Sequence, residues 1–149
     1  MENIKMRGDA ILESRDLDGN VLKRIEIHNI VVTTGLTQIA KLIGGDTSDF
    51  FNYMAIGTGT AGAALGNTAL GTEVLREEAD NAGSRYLTGN KIVFEHIFEV
   101  FSAETHEISE VGVFDQATLG GVMLDRIVCT ALTLDAATPL YVKITLTVS

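Results

Sequence analysis

Apolar and polar residues alternate along much of the chain, and this pattern predicts β-strands. The alternation runs through residues 8–15 and again through residues 21–28. Between them lie Asp16 to Asn20, where Asp18-Gly19 supplies the positive φ angles that a tight hairpin turn requires. We therefore predict an antiparallel β-hairpin in the first part of the chain.

One segment has helical spacing instead. Its apolar residues, which fall on one face of a helix over residues 34–43, are Leu36, Ile39, Ala40 and Ile43. Thr33 or Thr34 can cap the start of this helix, and Gly44-Gly45 can end it in the left-handed conformation. A helix this short is marginally stable by itself, so we expect its apolar face to pack against the rest of the protein.

The middle of the chain is less regular. Residues 50–56 predict a buried strand, and a loop of small residues at 57–66 follows and continues to Thr72. Residues 73–80 are charged, which predicts a short helix or an exposed arm. Residues 81–90 contain several turn-forming residues.

The last third of the chain is again strand-like. Residues 91–101 alternate but carry apolar residues on both faces, which predicts a strand buried on both sides. Further strands are expected at residues 108–114, 122–134 and 140–148. Short strands without regular strand-helix alternation indicate a mainly β fold, an antiparallel β-sandwich or a partly closed barrel with one short α-helix. No linker, repeat or low-complexity tract divides the chain, so we expect one domain over residues 1–149.

Composition narrows the classes of partner. Acidic residues give the chain a formal net charge of −9, which repels phosphate backbones, so nucleic acid is not an expected partner. Unbroken apolar stretches are only a few residues long, so we expect no membrane partner. Cys129 is the single cysteine and excludes an internal disulfide; we expect it to be a small buried apolar residue.

The loop contains Gly57, Gly59 and Gly62 in the spacing G-x-G-x-x-G after a predicted strand, which is a weak signature of dinucleotide binding. That function also needs a following helix and a parallel strand-helix-strand unit. Here more small residues follow, and the later chain alternates like antiparallel strands. A flexible interaction loop is the reading we favour, and a nucleotide-binding enzyme is the alternative.

Other chemical signals are weak. The histidines His28, His96 and His106 share no spacing typical of metal ligands. Residues 16–27 do not match a calcium-binding loop, because the glycine comes too early and Ile27 stands where the final glutamate is required. Cys129 has apolar neighbours, and no serine lies in a G-x-S-x-G turn. We therefore predict a protein that is not an enzyme, with no catalytic residues, no metal, no cofactor and no small-molecule substrate.

One acidic residue lies within an apolar strand. Glu110 is flanked by apolar residues, and Arg76 and Arg126 end apolar or loop segments. A buried carboxylate needs a partner, and the planar guanidinium of arginine is the best one. An ion pair of Glu110 with Arg76 or Arg126 is one interpretation, and a solvated Glu110 at a strand edge is the other.

The order of several motifs resembles a module of bacteriophage structural proteins. In chain order the motifs are Asn29 and Gly35, residues 54–60 (MAIGTGT), residues 68–76 (TALGTEVLR), residues 110–115 (EVGVFD) and residues 120–123 (GGVM). Together they are similar to the N-terminal, particle-attached module of phage tail-collar fibre proteins and of similar short stand-alone virion proteins. The resemblance spans residues 29–126.

This resemblance implies a β-rich attachment domain on the virion, assembled in the host cytoplasm, with other virion proteins as partners and no active site. A homo-oligomer is expected. Since the chain stops at Ser149 without a repetitive shaft and tip, a tail or baseplate adaptor is expected rather than a complete fibre; a capsid decoration protein is the alternative. The residues expected to contact neighbours are Gly57, Thr58, Gly59, Thr60, Thr68, Leu70, Glu73 and Arg76.

Overall fold

The computed structural model describes residues 3–79 and 85–149. In these residues the chain forms nine strands and one α-helix. They are β1 (Met6–Arg15), β2 (Val21–Val31), α1 (Thr33–Gly44), β3 (Tyr53–Gly57), β4 (Glu73–Glu78), β5 (Arg85–Thr88), β6 (Lys91–Phe98), β7 (His106–Phe114), β8 (Met123–Leu134) and β9 (Leu140–Val148). The prediction of a mainly β fold with one helix is confirmed.

All nine strands belong to one antiparallel sheet in the order β4-β3-β7-β8-β2-β1-β9-β6-β5. Strand β2 joins its two halves, because it pairs with β1 along most of its length and with β8 only through Ile30 and Val31. The sheet curls into a half-barrel, so the partly closed barrel is the predicted architecture that is found. Across the opening, the side chain of Glu77 on β4 contacts that of His96 on β6.

The concave side of the half-barrel holds the main core. Strand β9 illustrates this, because successive side chains of a strand point to opposite faces. Its buried residues are Leu140, Val142, Ile144 and Leu146, and the residues between them are partly exposed. Ala10 and Leu12 of the neighbouring β1 are buried beside them. Burying one such leucine or isoleucine side chain contributes about 1.5–3 kcal/mol, so burial of these alternating positions stabilises the core.

The predicted N-terminal hairpin is confirmed. Strands β1 and β2 pair antiparallel, and residues 16–20 form the turn between them. Gly19 has a φ of 86°, whereas Asp18 does not enter the left-handed region, so one glycine is sufficient. A carboxylate oxygen of Asp16 accepts the backbone N–H groups of Asp18 and Asn20, which fixes the turn.

Helix α1 begins differently from the prediction. Val32 precedes the helix, and no side chain caps its start, so the predicted capping role of Thr33 or Thr34 is wrong. Both threonines lie inside the helix, and the Thr34 hydroxyl donates to the carbonyl of Met123 instead. The predicted end is confirmed, since Gly45 adopts a left-handed φ of 72°.

The buried face of α1 also differs from the predicted one. Gly35 and Gln38 are the buried residues of the helix, and Ile39 and Leu42 are partly buried beside them. Leu36, Ala40 and Ile43 lie on the exposed side. The orientation follows from Gly35, because only a residue without a side chain fits so close to the backbone of β8, and from Gln38, whose amide donates to the carbonyl of Asp49.

Two other local predictions are wrong. Residues 73–78 form the strand β4 rather than a helix or arm, because Val74 and Leu75 pack on the core while the strand pairs with β3. Strand β6 ends at Phe98, and Phe101 is 90 % exposed rather than buried. Of the predicted turn region 81–90, residues 81–84 lie outside the described residues, and β5 occupies Arg85–Thr88.

Candidate functional site

The most concentrated polar arrangement surrounds Glu110 on β7. Its side chain is completely buried, and its carboxylate accepts the backbone N–H groups of Thr72 at 2.7 Å, Gly71 at 2.8 Å and Gly59 at 2.9 Å. The guanidinium of Arg126, on the neighbouring strand β8, donates to the same carboxylate through Nε at 3.1 Å and Nη2 at 2.9 Å. These donors occupy the lone pairs that a carboxylate can offer.

Arg126 extends this network into the loop between β3 and β4, residues 58–72. Its side chain is 3 % exposed, and its Nη1 donates to the carbonyl of Gly62 at 3.3 Å and to Oδ1 of Asn67 at 3.1 Å. The hydroxyl of Ser109 donates to the carbonyl of Gly59 at 2.8 Å. The loop is therefore fixed to the sheet at several points along its length.

The charge state of Glu110 follows from the balance of two effects. Burial alone raises the pKa of this carboxyl group, but the N–H groups of Thr72 and Gly71, the Arg126 guanidinium and the N–H of Gly59 hold it below its ordinary value. The glutamate is thus ionised at neutral pH. A negative charge without access to water is compensated by donors from three segments of the chain.

This arrangement accounts for Gly57 and Gly59. A Cβ atom at Gly57 would lie 2.3 Å from the carbonyl oxygen of Thr72, and one at Gly59 would lie 2.5 Å from Oε1 of Glu110. In a dinucleotide site the amides of such a loop would receive a phosphate at the start of a helix. Here they receive the chain's own carboxylate, no helix follows in residues 58–72, and β3 pairs antiparallel with both neighbours.

The structure thus pairs Glu110 with Arg126, whereas Arg76, the other sequence-based candidate, lies elsewhere. Its guanidinium binds the carboxylate of Glu73 at 2.7 Å and stacks on the ring of Phe114 with 3.7 Å between the guanidinium carbon and the ring centroid. Its Nη1 also donates to three carbonyls of the β7–β8 loop, those of Gln116, Thr118 and Gly120. Arg76 therefore fastens the edge strand β4 to that loop.

The residues expected to contact neighbours occupy different environments. Gly57 and Leu70 are buried within the protein, where Leu70 packs with Phe114 and Met123. Gly59, Glu73 and Arg76 are engaged in the contacts described above, and Thr58 donates its N–H to the carbonyl of Thr72. Thr60 and Thr68 are the members of the set that remain exposed.

A second buried carboxylate, Asp125 on β8, was not singled out from the sequence. It accepts a hydrogen bond from the side-chain amide of Asn29 and another from the N–H of Val113 at 3.1 Å. Burial raises the pKa of Asp125 to about 7, although both hydrogen bonds act in the opposite direction. Oδ1 of Asn29 is buried and has no hydrogen-bond partner. The only sequence signal was an acidic residue next to Arg126 within an apolar strand.

The histidines lie apart in three separate pairs. His28 contacts Asp9 at 2.6 Å, His96 contacts Glu77, and His106 contacts Glu104 at 3.2 Å. Within the described ranges, no three His, Cys, Asp or Glu side chains are placed to hold a metal ion. Cys129 is half-buried, and burial raises the pKa of its thiol. In the same ranges, no helix has the length and hydropathy needed to cross a membrane.

A cluster of exposed apolar side chains lies on α1. Leu36, Ala40 and Ile43 follow one another at helical spacing, and Leu36 and Ile43 are 46 % and 83 % exposed. Leu65, which is 61 % exposed, belongs to the loop 58–72, and its carbonyl accepts the N–H of Thr33 in the first turn of the helix at 2.9 Å. We call Leu36, Ala40, Ile43 and Leu65 the helix face.

Comparison of the chain with protein-family models, with curated proteins and with solved structures finds no match in any of the three.

Proposed function

We propose that this chain is a non-enzymatic structural protein of a bacteriophage particle, a homo-oligomeric component that attaches tail or fibre proteins as an adaptor or baseplate part. The order of motifs over residues 29–126 supports the class. The observation that carries the proposal is the helix face, because exposed apolar side chains that share one face of a helix are typical of a protein contact surface.

The support beneath the helix face favours the same function. Leu65 belongs to a loop that Arg126 holds through Gly62 and Asn67, and that Glu110 holds at both of its ends. A contact residue on a fixed loop loses little conformational freedom when a partner binds, so less of the interaction energy is spent on ordering. The buried network therefore serves attachment by keeping the surface in one shape.

Binding at this face is adhesion by burial of apolar surface, which stabilises a complex by about 25 cal/mol for each Å² removed from water. Ile43, Leu65 and Leu36 supply most of this surface, and Ala40 on the helix lets a partner backbone come close. Thr60 and Thr68 are exposed in the same loop as Leu65 and provide polar groups. Several such contacts around a symmetric assembly would add to one another.

The test is the double substitution Leu36→Ser and Ile43→Ser in the phage that encodes the chain. Both side chains are exposed, so the free energy of unfolding should change by less than about 1 kcal/mol for the two substitutions together. We expect the amount of the protein that co-sediments with purified particles to fall at least about tenfold, the effect of losing about 1.4 kcal/mol per contact. Leu119→Ser, at a site that is 79 % exposed on the β7–β8 loop, is the matched control.

Equal recovery of the double variant and the native protein on particles would contradict the role of the helix face. Labelling of the protein on intact particles, isolated tails and emptied heads then tests the location. Label on tails or baseplates is the expected result. Label distributed over the head would indicate capsid decoration, and a protein absent from all particle fractions would overturn the proposal.

A further inference from the structure

Three turns meet at the end of the sheet away from α1. They are residues 16–20, 99–105 and 135–139, which follow β1, β6 and β8. Strand β2 has 11 residues and runs from this end to the helix, so the two ends are roughly 30 Å apart. A groove between the turns is lined by Leu17, Glu99, Val100, Phe101, Asp135, Ala136 and Pro139, and we call it the turn groove.

Two large apolar side chains stand exposed at the turn groove. Leu17 at the tip of the β1–β2 hairpin is 74 % exposed, and Phe101 is 90 % exposed. Isolated exposed apolar residues are common on proteins, but these two flank one depression. The turn that carries Leu17 is fixed by the hydrogen bonds of Asp16, and the third turn is fixed by the carboxylate of Asp135, which accepts the N–H of Ala137 at 2.9 Å.

The charge around the groove has a single sign. The three turns contain Asp16, Asp18, Glu99, Glu104 and Asp135, and no lysine, arginine or histidine. These five carboxylates make up more than half of the chain's formal net charge of −9. Arg15, at the end of β1, is bound to Glu13 at 2.5 Å and stacks on Tyr141, and His106, which follows the second turn, contacts Glu104 at 3.2 Å. Neither contact involves Glu99 or Asp135, the two carboxylates that line the groove.

We propose that the turn groove is a docking site for a basic and apolar segment of a different protein, in which lysine or arginine residues flank an apolar side chain. The apolar side chain would pack against Leu17 and Phe101, and the flanking cations would meet the carboxylates of Glu99 and Asp135. A second copy of this chain fits poorly, since pairing the same face would bring five carboxylates against five. The inference is independent of the helix face, which lies at the other end of the sheet.

The test uses the full chain, labelled for NMR, and a synthetic peptide in which lysine alternates with leucine. We expect peptide-dependent shifts of the backbone amides at residues 17, 99–101 and 135–136, and a dissociation constant that rises steeply between 50 and 300 mM salt. The same peptide with glutamate in place of lysine should not bind. Phe101→Ser should weaken binding at least about tenfold, as expected for an aromatic contact at the centre of an interface.

A double variant and a control separate the contribution of charge to peptide binding from that of apolar packing. Asp18→Asn together with Glu99→Gln should reduce the salt dependence, because these substitutions remove charge from the turns without touching the core. Ile43→Ser on α1 is the matched control and should leave peptide binding unchanged. Absence of binding, equal binding of the glutamate peptide, shifts centred outside the three turns, or self-association through them would each overturn the proposal.

Discussion

At the residue scale, the carboxylate of Glu110 accepts hydrogen bonds from donors of three chain segments. Three of them are backbone N–H groups of the loop, and the others belong to Arg126. Sequence reasoning offered an ion pair of Glu110 with Arg76 or Arg126 as one of two interpretations, because burial of a charge demands a partner, and the structure selects Arg126. Sequence reasoning could not reach the amides of Gly59, Gly71 and Thr72, since no residue type marks a backbone group as a ligand.

Arg126→Met should lower the free energy of unfolding by about 3–5 kcal/mol, because it leaves a buried carboxylate without its counter-charge. Urea denaturation followed by circular dichroism measures this change. Arg7→Met is the control, since Arg7 is 66 % exposed in its pair with Asp9 and should contribute less than about 1 kcal/mol. Similar losses for the two variants would show that the buried pair has no special role.

Glu110 and Asp125 give opposite pH dependences. The pKa of Glu110 is lowered by folding, so the stability it contributes is present above its ordinary pKa and lost as the pH falls. The pKa of Asp125 is raised from 3.8 to about 7, so its contribution is full below pH 3.8 and is lost as the pH rises through 7. Between pH 5 and 8, Asp125 therefore makes the native protein less stable as the pH increases.

Asp125→Asn should remove this dependence. The new amide can still accept the N–H of Val113, and it can donate to Oδ1 of Asn29 after rotation of that amide. We expect the variant to be more stable than the native protein at pH 8, by on the order of 1–3 kcal/mol, because a buried charge with neutral partners is removed. Thermal unfolding between pH 5 and 8 is the measurement.

Asp46→Asn, at an exposed site after α1, removes the same charge and serves as the control for that experiment. It should retain the native pH profile. A steep profile in the Asp125 variant, parallel to that of the native protein, would show that another group titrates in this range.

At the scale of elements, the helix illustrates the limit of apolar spacing. The spacing located α1 well but assigned the wrong face to the core, because the buried residues of the helix are a glycine and a glutamine, Gly35 and Gln38. Strand β4 was missed for a similar reason. Its charged residues suit an exposed sheet edge, where they discourage pairing with other chains, and they conceal Val74 and Leu75.

Gly35→Ala tests the close contact of α1 with β8. A Cβ atom at this position would lie 2.5 Å from the carbonyl oxygen of Leu124 and 2.8 Å from its Cα, so the helix must move. We expect a loss of about 1–3 kcal/mol despite the better helix propensity of alanine. Gly44→Ala meets no atom within 4 Å and should be neutral or stabilising.

Differential scanning calorimetry distinguishes the two glycine variants. For a chain of this size, 1 kcal/mol corresponds to a change of about 2–4 °C in Tm. The Tm should fall for Gly35→Ala and stay or rise for Gly44→Ala. A rise for both would mean that helix propensity, rather than the contact with Leu124, dominates at Gly35.

At the scale of the whole molecule, most of the long strands were predictable and their arrangement was not. Alternation is a local property, so β1, β2, β7, β8 and β9 could be located from the residues themselves. The order of the strands depends on contacts between distant segments, among them the two-residue pairing of β2 with β8. The approach of Glu77 to His96 across the opening has no counterpart in the sequence pattern.

Glu110 is distant in sequence from the loop residues that it binds, and this separation implies an order of events during folding. The glutamate lies 51 residues from Gly59 and 38 from Thr72, so the loop between them gains its anchor only after β7 has been made and has paired with β8. Under the proposed attachment through the helix face, a copy in which this loop is not yet anchored lacks part of its contact surface.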